Sequence, residues 1–243
     1  MSDMAISARV WRPLQRTSAG AMVGARAALL GLIVLAGGCG ISADSSTDQA
    51  ALAQTAAAAR HSILLVVACT PNGMPRHCRY ATAWSAAPHL FVTARHALAG
   101  LPTVSLSSRQ HGTAFATVVG VDLAHDLAVL HSDLDLPPLT QTHDAGDGAR
   151  LVAVCSRRAV AYQGHPNQSG LYEGELDGGA IRTHNADQDL MLERIDGAAS
   201  VLGCSGGPVL DADGAVAGIA VAGDGSNAGM VPVDVALRLL QRA

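Results

Sequence analysis

From residue 62 onward, short apolar runs alternate with turn-forming residues, and this pattern limits the folds that the chain can adopt. The runs are rich in Val, Leu and Ala and are bounded by Gly, Pro, Asn and Asp; they occupy residues 62–69, 89–93, 113–121, 127–130, 150–155, 190–195, 208–210, 215–223 and 229–233. Their spacing of about 8–20 residues is typical of strands in a barrel or sandwich, not of alternating strands and helices. The sequence therefore predicts an all-β fold.

Composition supports a folded domain and disfavours one class of partner. Hydrophobic residues make up 49% of the chain and charged residues 15%, which favours a buried core over disorder. Aromatic residues are only 3%, so aliphatic side chains must fill that core. The formal net charge is −4, and no basic field suits nucleic acid. We therefore expect no nucleic-acid partner.

Two helices are expected at the ends of the all-β region. Residues 50–60 favour a short helix through alanine propensity alone. Residues 234–242 carry apolar side chains at helical spacing, and Asp234 is placed to act as the N-cap.

The N-terminal segment, residues 1–39, indicates a signal peptide. Arginines precede the apolar run of residues 27–36, which is too short to span a membrane but suits a signal-peptide core. The segment ends in Ala-Gly-Gly-Cys, which resembles a bacterial lipobox and predicts a lipid anchor on Cys39. The alternative is ordinary signal cleavage that leaves Cys39 as a thiol. Translation could start at Met1 or at Met22.

The rest of the chain is predicted to form a flexible tether at residues 40–57 and a folded domain at residues 58–243. The first residues of the tether are small and polar. Export would place that domain in the periplasm or on the cell surface of a bacterium. An oxidising compartment makes four cysteines candidates for disulfides: Cys69, Cys78, Cys155 and Cys204. Neither the cysteines nor the histidines have metal-ligand spacing, so we expect no metal and no cofactor.

The strongest chemical signal is residues 203–208, which read Gly-Cys-Ser-Gly-Gly-Pro. A serine nucleophile needs a base and backbone N–H groups aimed at the developing oxyanion. Glycine at Gly203 would let its own N–H and that of Ser205 face a substrate carbonyl. An α/β-hydrolase elbow is disfavoured because a proline and a strand follow, and because the last histidine, His184, lies upstream.

The base and its partner must therefore precede the serine. His96 follows the apolar run of residues 89–93, and Asp126 enters the run of residues 127–130. A carboxylate at that edge is costly to bury unless hydrogen bonds hold it, and a histidine could donate one. Taken singly, His96 could be structural and Asp126 a solvated loop residue.

Together these segments resemble the trypsin-like serine proteases, in the chain order His, Asp, Ser. They are closest to the protease domain of the bacterial HtrA/Deg branch. Residues 92–96 resemble its Val-Thr-x-x-His segment, residues 126–130 its Asp-Leu-Ala-Val-Leu segment, and residues 203–208 its Gly-Asn-Ser-Gly-Gly segment with cysteine for asparagine. The resemblance covers about residues 58–243. It implies a chymotrypsin-like fold of two six-stranded antiparallel β-barrels with a C-terminal helix.

The resemblance also implies a serine endopeptidase acting on protein or peptide substrates. Ser205 would be the nucleophile, His96 the general base and Asp126 its orienting carboxylate, with the N–H groups of Gly203 and Ser205 as the oxyanion hole. The base of the substrate pocket would fall near Ala199. Its wall would be formed by Ala220, Val221 and Ala222. No acid is matched there, which favours small or medium apolar residues before the scissile bond.

Two further expectations follow from the resemblance. Cys155 would pair with Cys204 beside the oxyanion loop, leaving Cys69 to pair with Cys78; the alternative is that Cys204 is a small buried hydrophobe. No PDZ-like segment is expected, because the sequence ends at Ala243. Two other functions stay open: a catalytically silent binding module of the cell envelope that keeps the protease fold, and an esterase that uses the same triad.

Overall fold

Short strands rich in β-branched and small residues dominate the computed structural model, which describes residues 44–70, 78–98, 100–142, 145–185 and 188–243. In this part of the chain, six strands form a first closed barrel: β1 (Ile63–Cys69), β2 (Cys78–Ala87), β3 (Leu90–Ala94), β4 (Thr103–Ser108), β5 (Gly112–Asp122) and β6 (Leu127–Ser132). Six more form a second: β7 (Arg150–Val154), β8 (Leu171–Asn185), β9 (Gln188–Asp196), β10 (Pro208–Leu210), β11 (Val216–Gly223) and β12 (Ala228–Pro232). The predicted double-barrel fold is confirmed.

The two barrels share one topology. Around the first barrel the strands follow the order β1-β2-β3-β6-β5-β4, and around the second the order β7-β8-β9-β12-β11-β10. All neighbouring strands are antiparallel. The two barrels therefore repeat the same strand order, although no internal repeat is visible in the amino-acid sequence.

Strands at the contact between the barrels are buried on both faces, which explains why they appear as continuous apolar runs. On β3, Phe91 points into the first barrel while its neighbour Val92 joins the core between the barrels. On β7, Leu151 points into the second barrel while Val152 joins the same inter-barrel core. Among the described residues, side-chain alternation along the strands thus separates three large cores, and Cys155, Val160 and Cys204 form a smaller fourth cluster.

Three strands were not among the apolar runs of the sequence, namely β2, β4 and β8. The longest, β8, carries mostly exposed or half-exposed side chains and three glycines, with a register shift between Leu176 and Ala180. A strand that buries so few side chains leaves a weak apolar pattern, because pairing with β7 and β9 is what orders it.

Helix α1 (Asp44–Ala59) corrects the predicted tether at residues 40–57. Leu52 and Ala56 are fully buried in the inter-barrel core, and the Thr55 hydroxyl donates to the carbonyl of Ala212 at 3.2 Å. Residues 44–57 are therefore an integral helix, longer than the predicted helix of residues 50–60. The small polar residues there suggested a tether, but the helix is held by packing against residues distant in sequence.

Helix α3 (Val233–Leu240) confirms the predicted C-terminal helix with one correction. Pro232 is the N-cap, and Asp234 lies within the first turn instead of capping it. A carboxylate in the first turn still interacts favourably with the helix dipole. Val235, Ala236 and Leu239 pack this helix against the inter-barrel core.

The predicted signal peptide at residues 1–39, with its lipobox-like end and Cys39, lies outside the described residues, as do residues 40–43 of the predicted tether. Within the described ranges, no helix combines the length and apolar character needed to cross a bilayer.

Candidate active site

Asp126 is a fully buried carboxylate directly before β6, in the left-handed backbone region with φ 56°. The turn before it is shaped by Asp122, whose carboxylate accepts hydrogen bonds from the backbone N–H and the ring Nδ1 of His125, both at 3.0 Å. Partial burial raises the pKa of Asp122, but the hydrogen bonds from His125 outweigh it and hold that pKa below its usual value.

Three groups surround the carboxylate of Asp126. Its Oδ2 lies 2.6 Å from His96 Nδ1, and its Oδ1 accepts the backbone N–H of His96 at 2.9 Å. The Nε of Arg95 lies 3.3 Å from Oδ1. The buried charge is thus compensated by an ion pair and two hydrogen bonds. These contacts exclude the alternative that Asp126 is a solvated loop residue.

His96 sits in a 3-10 turn (Arg95–Ala97) that directly follows β3. The N–H of Arg95 donates to the carbonyl of Asp126 at 2.8 Å, and the guanidinium of Arg79 donates to the carbonyl of His96 at 2.6 Å. With Asp126 ionised, Nδ1 carries the proton of the neutral imidazole and Nε2 is the unprotonated nitrogen. The pairing therefore orients a ring nitrogen that can accept a proton.

Ser205 lies in a tight turn built on glycine. Gly203 has φ +95°, and a Cβ there would approach the backbone carbon of Ala159 to 2.7 Å. Gly206 has φ +84°, and a Cβ there would collide with the carbonyl oxygen of Thr82. Both positions require glycine because of the left-handed backbone and the close approach. The turn is closed by the N–H of Gly207 donating to the carbonyl of Cys204 at 2.8 Å.

Thr82 on β2 holds this turn from the first barrel. Its hydroxyl donates to the carbonyl of Gly203 at 2.7 Å and accepts the N–H of Ser156 at 3.0 Å. Its backbone N–H donates to the carbonyl of Ser205 at 3.0 Å. Thr82 is fully buried, and sequence reasoning missed it because a threonine within a strand carries no local signal.

The Gly207 N–H that donates to the carbonyl of Cys204 orients the peptide group that carries the Ser205 N–H. In the part of the chain that the structure describes, the N–H groups of Gly203 and Ser205 donate to no protein acceptor, and the Ser205 hydroxyl makes no hydrogen bond. Two backbone donors beside a serine can stabilise an oxyanion. Hydrogen bonds between nucleophile and base are often loose without substrate.

A cavity of about 250 Å³ opens between Ser205 and His96. The four residues predicted to form the substrate pocket all line it: Ala199, Ala220, Val221 and Ala222. Tyr172, Thr183 and His184 line the same cavity, and sequence reasoning did not find them. Burial raises the pKa of Tyr172, whose hydroxyl bonds the side chain of Gln168, so this phenol is neutral. No carboxylate or guanidinium is among the described lining residues.

Both predicted disulfides are present. Cys155 bonds Cys204, joining the residue that follows β7 to the residue that precedes Ser205, with a Cα–Cα distance of 4.8 Å. Cys69 bonds Cys78 and joins the paired ends of β1 and β2. Cys204 is therefore not a free buried thiol. The turn around Ser205 is held by this disulfide and by the hydrogen bonds from Thr82.

Solved structures with the same fold are proteases. The protease Rv3671c from M. tuberculosis in its active form matches with 22% identity over 77% of this chain and 83% of its own, with a TM-score of 0.63. The HtrA-type protease AlgW, solved with a tripeptide, matches with 21% identity over 78% of this chain, with a TM-score of 0.61. The matched region spans 62% of the AlgW chain. At these identities the likeness establishes the fold.

The family is established by sequence. The family model of the trypsin-like peptidase domain matches residues 81–219, which is more than half of the chain. This range includes His96, Asp126 and Ser205. No curated protein matches the chain significantly. The chain belongs to the trypsin-like peptidase domain family of serine endopeptidases.

Proposed function

We propose that the protein is an exported endopeptidase in which Ser205, His96 and Asp126 form a catalytic triad. The observation that carries this proposal is the 2.6 Å contact between His96 Nδ1 and the buried carboxylate of Asp126, at a cavity shared by His96 and Ser205. A buried aspartate that orients a histidine beside a serine is the arrangement that activates a hydroxyl nucleophile.

The reaction is acyl transfer through a covalent intermediate. Ser205 Oγ attacks the scissile carbonyl while His96 Nε2 takes its proton, and Asp126 stabilises the imidazolium. The carbonyl oxygen becomes an oxyanion that accepts hydrogen bonds from the N–H groups of Gly203 and Ser205. The imidazolium then protonates the leaving amine as the C–N bond breaks. Water, deprotonated by His96, hydrolyses the acyl-enzyme and restores Ser205.

The pocket favours small or medium apolar side chains on the residue before the scissile bond. Ala199, Ala220, Val221 and Ala222 supply an apolar surface with little bulk. A lysine or arginine side chain would enter without a carboxylate to compensate its charge, which is unfavourable in a partly desolvated cavity. A set of peptide substrates with Ala, Val, Leu, Lys or Asp before the scissile bond tests this preference by kcat/KM. The highest value for lysine would contradict it.

We further propose export to the cell envelope, with a lipid on Cys39. Two disulfides support an oxidising compartment, because such bonds are rare in the cytosol. The segment at residues 1–39 supplies the basic leader, the short apolar run and the lipobox-like end. Metabolic labelling with a clickable fatty acid, for the parent and for Cys39→Ala, tests the anchor. Equal labelling of the two would exclude Cys39.

Covalent labelling tests the triad directly. A fluorophosphonate is added to the purified chain, to Ser205→Ala and to Ser226→Ala, which removes an exposed serine outside the cavity. Intact mass should show one adduct on the parent and on the Ser226 variant, and none on the Ser205 variant. A folded, oxidised parent that takes no adduct would indicate a binding module.

Parallel assays on matched peptide and ester substrates separate the two remaining reaction classes. An endopeptidase should cleave an internal peptide bond, with the new amino terminus identified by mass spectrometry. Adduct formation together with ester hydrolysis but no peptide cleavage would indicate an esterase with the same triad.

A further inference from the structure

A second cavity, of about 270 Å³, lies on the molecule apart from the one between His96 and Ser205. It is bounded by the 3-10 turn after α1 (Arg60–Ser62), the turn between β4 and β5, and the start of helix α2 (Arg157–Tyr162). A water molecule occupies about 30 Å³ in the liquid, so the cavity has room for a polyatomic ion with part of its hydration shell. Neither the proposed mechanism nor the proposed specificity uses it.

Four arginines from three segments line this cavity. They are Arg60, Arg109, Arg157 and Arg158, and no aspartate or glutamate is among the described residues that line it. None of the four arginines contacts a carboxylate elsewhere in the described chain. This concentration of positive charge stands out in a chain whose formal net charge is −4.

Hydrogen bonds hold the guanidinium groups of two of these arginines in place. The guanidinium of Arg60 donates to the carbonyl of Ser169 at 2.9 Å, and that of Arg158 donates to the hydroxyl of Ser107 at 2.9 Å. Burial, and to a smaller extent repulsion from Arg157, lowers the pKa of Arg60. An anion bound between these positive charges would offset that repulsion.

The other two arginines, Arg109 and Arg157, are exposed at the mouth of the cavity. Within the described residues their side chains make no hydrogen bond, so they can close over a ligand without losing a partner. Guanidinium groups bind carboxylate and phosphate oxygens in bidentate fashion. Four of them match a compact, multiply charged oxyanion better than a single carboxylate, which would leave most of the positive charge uncompensated.

We propose that this cavity is a binding site for a phosphate-type oxyanion, held by Arg60, Arg109, Arg157 and Arg158. The ligand is either free phosphate or the phosphate monoester of a lipid headgroup, because both present the same doubly charged group. This site is independent of the proposed protease mechanism.

The first test is titration of the purified chain with inorganic phosphate, replacing chloride at constant ionic strength so that general screening is unchanged. Phosphate should raise Tm in a saturable way, since a ligand that binds only the folded state stabilises it. The double variant Arg109→Gln/Arg157→Gln should weaken binding by about tenfold or more, the effect of losing charge-assisted hydrogen bonds. Both side chains are exposed, so folding should be retained.

The matched control is Arg238→Gln/Arg242→Gln, which removes two exposed charges outside the cavity. It should bind phosphate as the parent does. Equal weakening in the two double variants would show a general charge effect and overturn the proposal.

A second arm distinguishes the source of the phosphate group. Vesicles of phosphatidylcholine with and without phosphatidic acid are sedimented with the parent and with each double variant. A lipid headgroup would be identified if the parent sediments only with vesicles that contain phosphatidic acid, and if Arg109→Gln/Arg157→Gln alone loses this binding. Saturable binding of inorganic phosphate without such retention would identify a soluble ligand. Binding of neither probe would overturn the proposal.

Discussion

At the scale of single residues, the arrangement around Asp126 is the most demanding feature of the molecule. A fully buried carboxylate in a left-handed backbone conformation combines two unfavourable features. His96 and Arg95 compensate the charge, and Asp122 stabilises the turn. Such a site is maintained only when the surrounding structure holds it, which supports a chemical role.

Asp126→Asn keeps the shape of the side chain but removes its charge. The amide can present its NH₂ group to His96, which favours the wrong tautomer and leaves the imidazolium without its counter-charge. We expect kcat for peptide hydrolysis to fall by about 10⁴, because the imidazole is then held in the wrong tautomer. Asp133→Asn, at an exposed position, is the matched control and should keep the parent kcat. A tenfold effect or less at Asp126 would contradict the assigned role.

Thr82→Val removes one hydroxyl from beneath the turn that carries Ser205. The carbonyl of Gly203 and the N–H of Ser156 would both lose a buried partner. We expect a loss of about 1–3 kcal/mol in the free energy of unfolding and slower labelling of Ser205 by a fluorophosphonate. Urea denaturation and labelling kinetics measure the two effects. Thr117→Val, on an exposed face of β5, should change neither the stability nor the labelling rate. If Ser205 is labelled at the parent rate in Thr82→Val, the hydroxyl does not position the turn.

At the scale of secondary-structure elements, two links between distant segments support the site. Helix α1 packs against the inter-barrel core although it precedes both barrels in the chain. The Cys155–Cys204 bond joins the end of β7 to the turn that carries Ser205. We test each of these two links with its own substitution.

Leu52→Ala tests whether α1 belongs to the folded domain. Leu52 is fully buried, so its truncation should cost about 2–5 kcal/mol of unfolding free energy through lost burial and a residual cavity. Gln54→Ala, on the exposed side of the same helix, should be nearly neutral. Urea denaturation of the two variants measures the difference. Equal stabilities would mean that the helix does not contribute to the core.

The two disulfides should differ in their effects. Cys155→Ala/Cys204→Ala removes a disulfide between cysteines 49 residues apart in the sequence. Cys69→Ala/Cys78→Ala removes one between cysteines 9 residues apart. Loop entropy assigns about 4 kcal/mol to the first and about 2.5 kcal/mol to the second. Only the first should slow fluorophosphonate labelling of Ser205, because only Cys204 adjoins it. Labelling measured under conditions where both variants are folded tests this, and equal rates in the parent and the Cys155/Cys204 variant would contradict it.

At the scale of the whole molecule, stability should decrease in acid through its carboxylates. The pKa of Asp122 is held low in the folded state by His125, against a usual value near 3.9 in the unfolded chain. The unfolded chain therefore takes up a proton first as the pH falls, so this contribution is complete above about pH 4 and is lost below it. Tm measured from pH 7 to pH 3 should fall more steeply for the parent than for Asp122→Asn. Parallel curves would show that this carboxylate is not linked to folding.

The amino-acid sequence alone was sufficient to predict the fold family and to identify the residues that we propose as the catalytic triad. Apolar runs bounded by turn residues specify strands, because burial on both faces requires continuous hydrophobicity. Gly203, Ser205 and Gly206 are recognisable because a tight turn with left-handed glycines tolerates few other residues. His96 and Asp126 were recognisable through the order and spacing of their motifs, and both cysteine pairs followed from the family resemblance.

Contacts between segments that are distant in the sequence became evident only in the folded structure. Thr82 meets Gly203 across the contact between the barrels, and Leu52 meets strands that follow it in the chain. The basic cavity gathers Arg60, Arg109 and Arg157 from three segments. Such contacts depend on how the barrels and helices pack, and no local pattern encodes a contact between residues far apart in sequence.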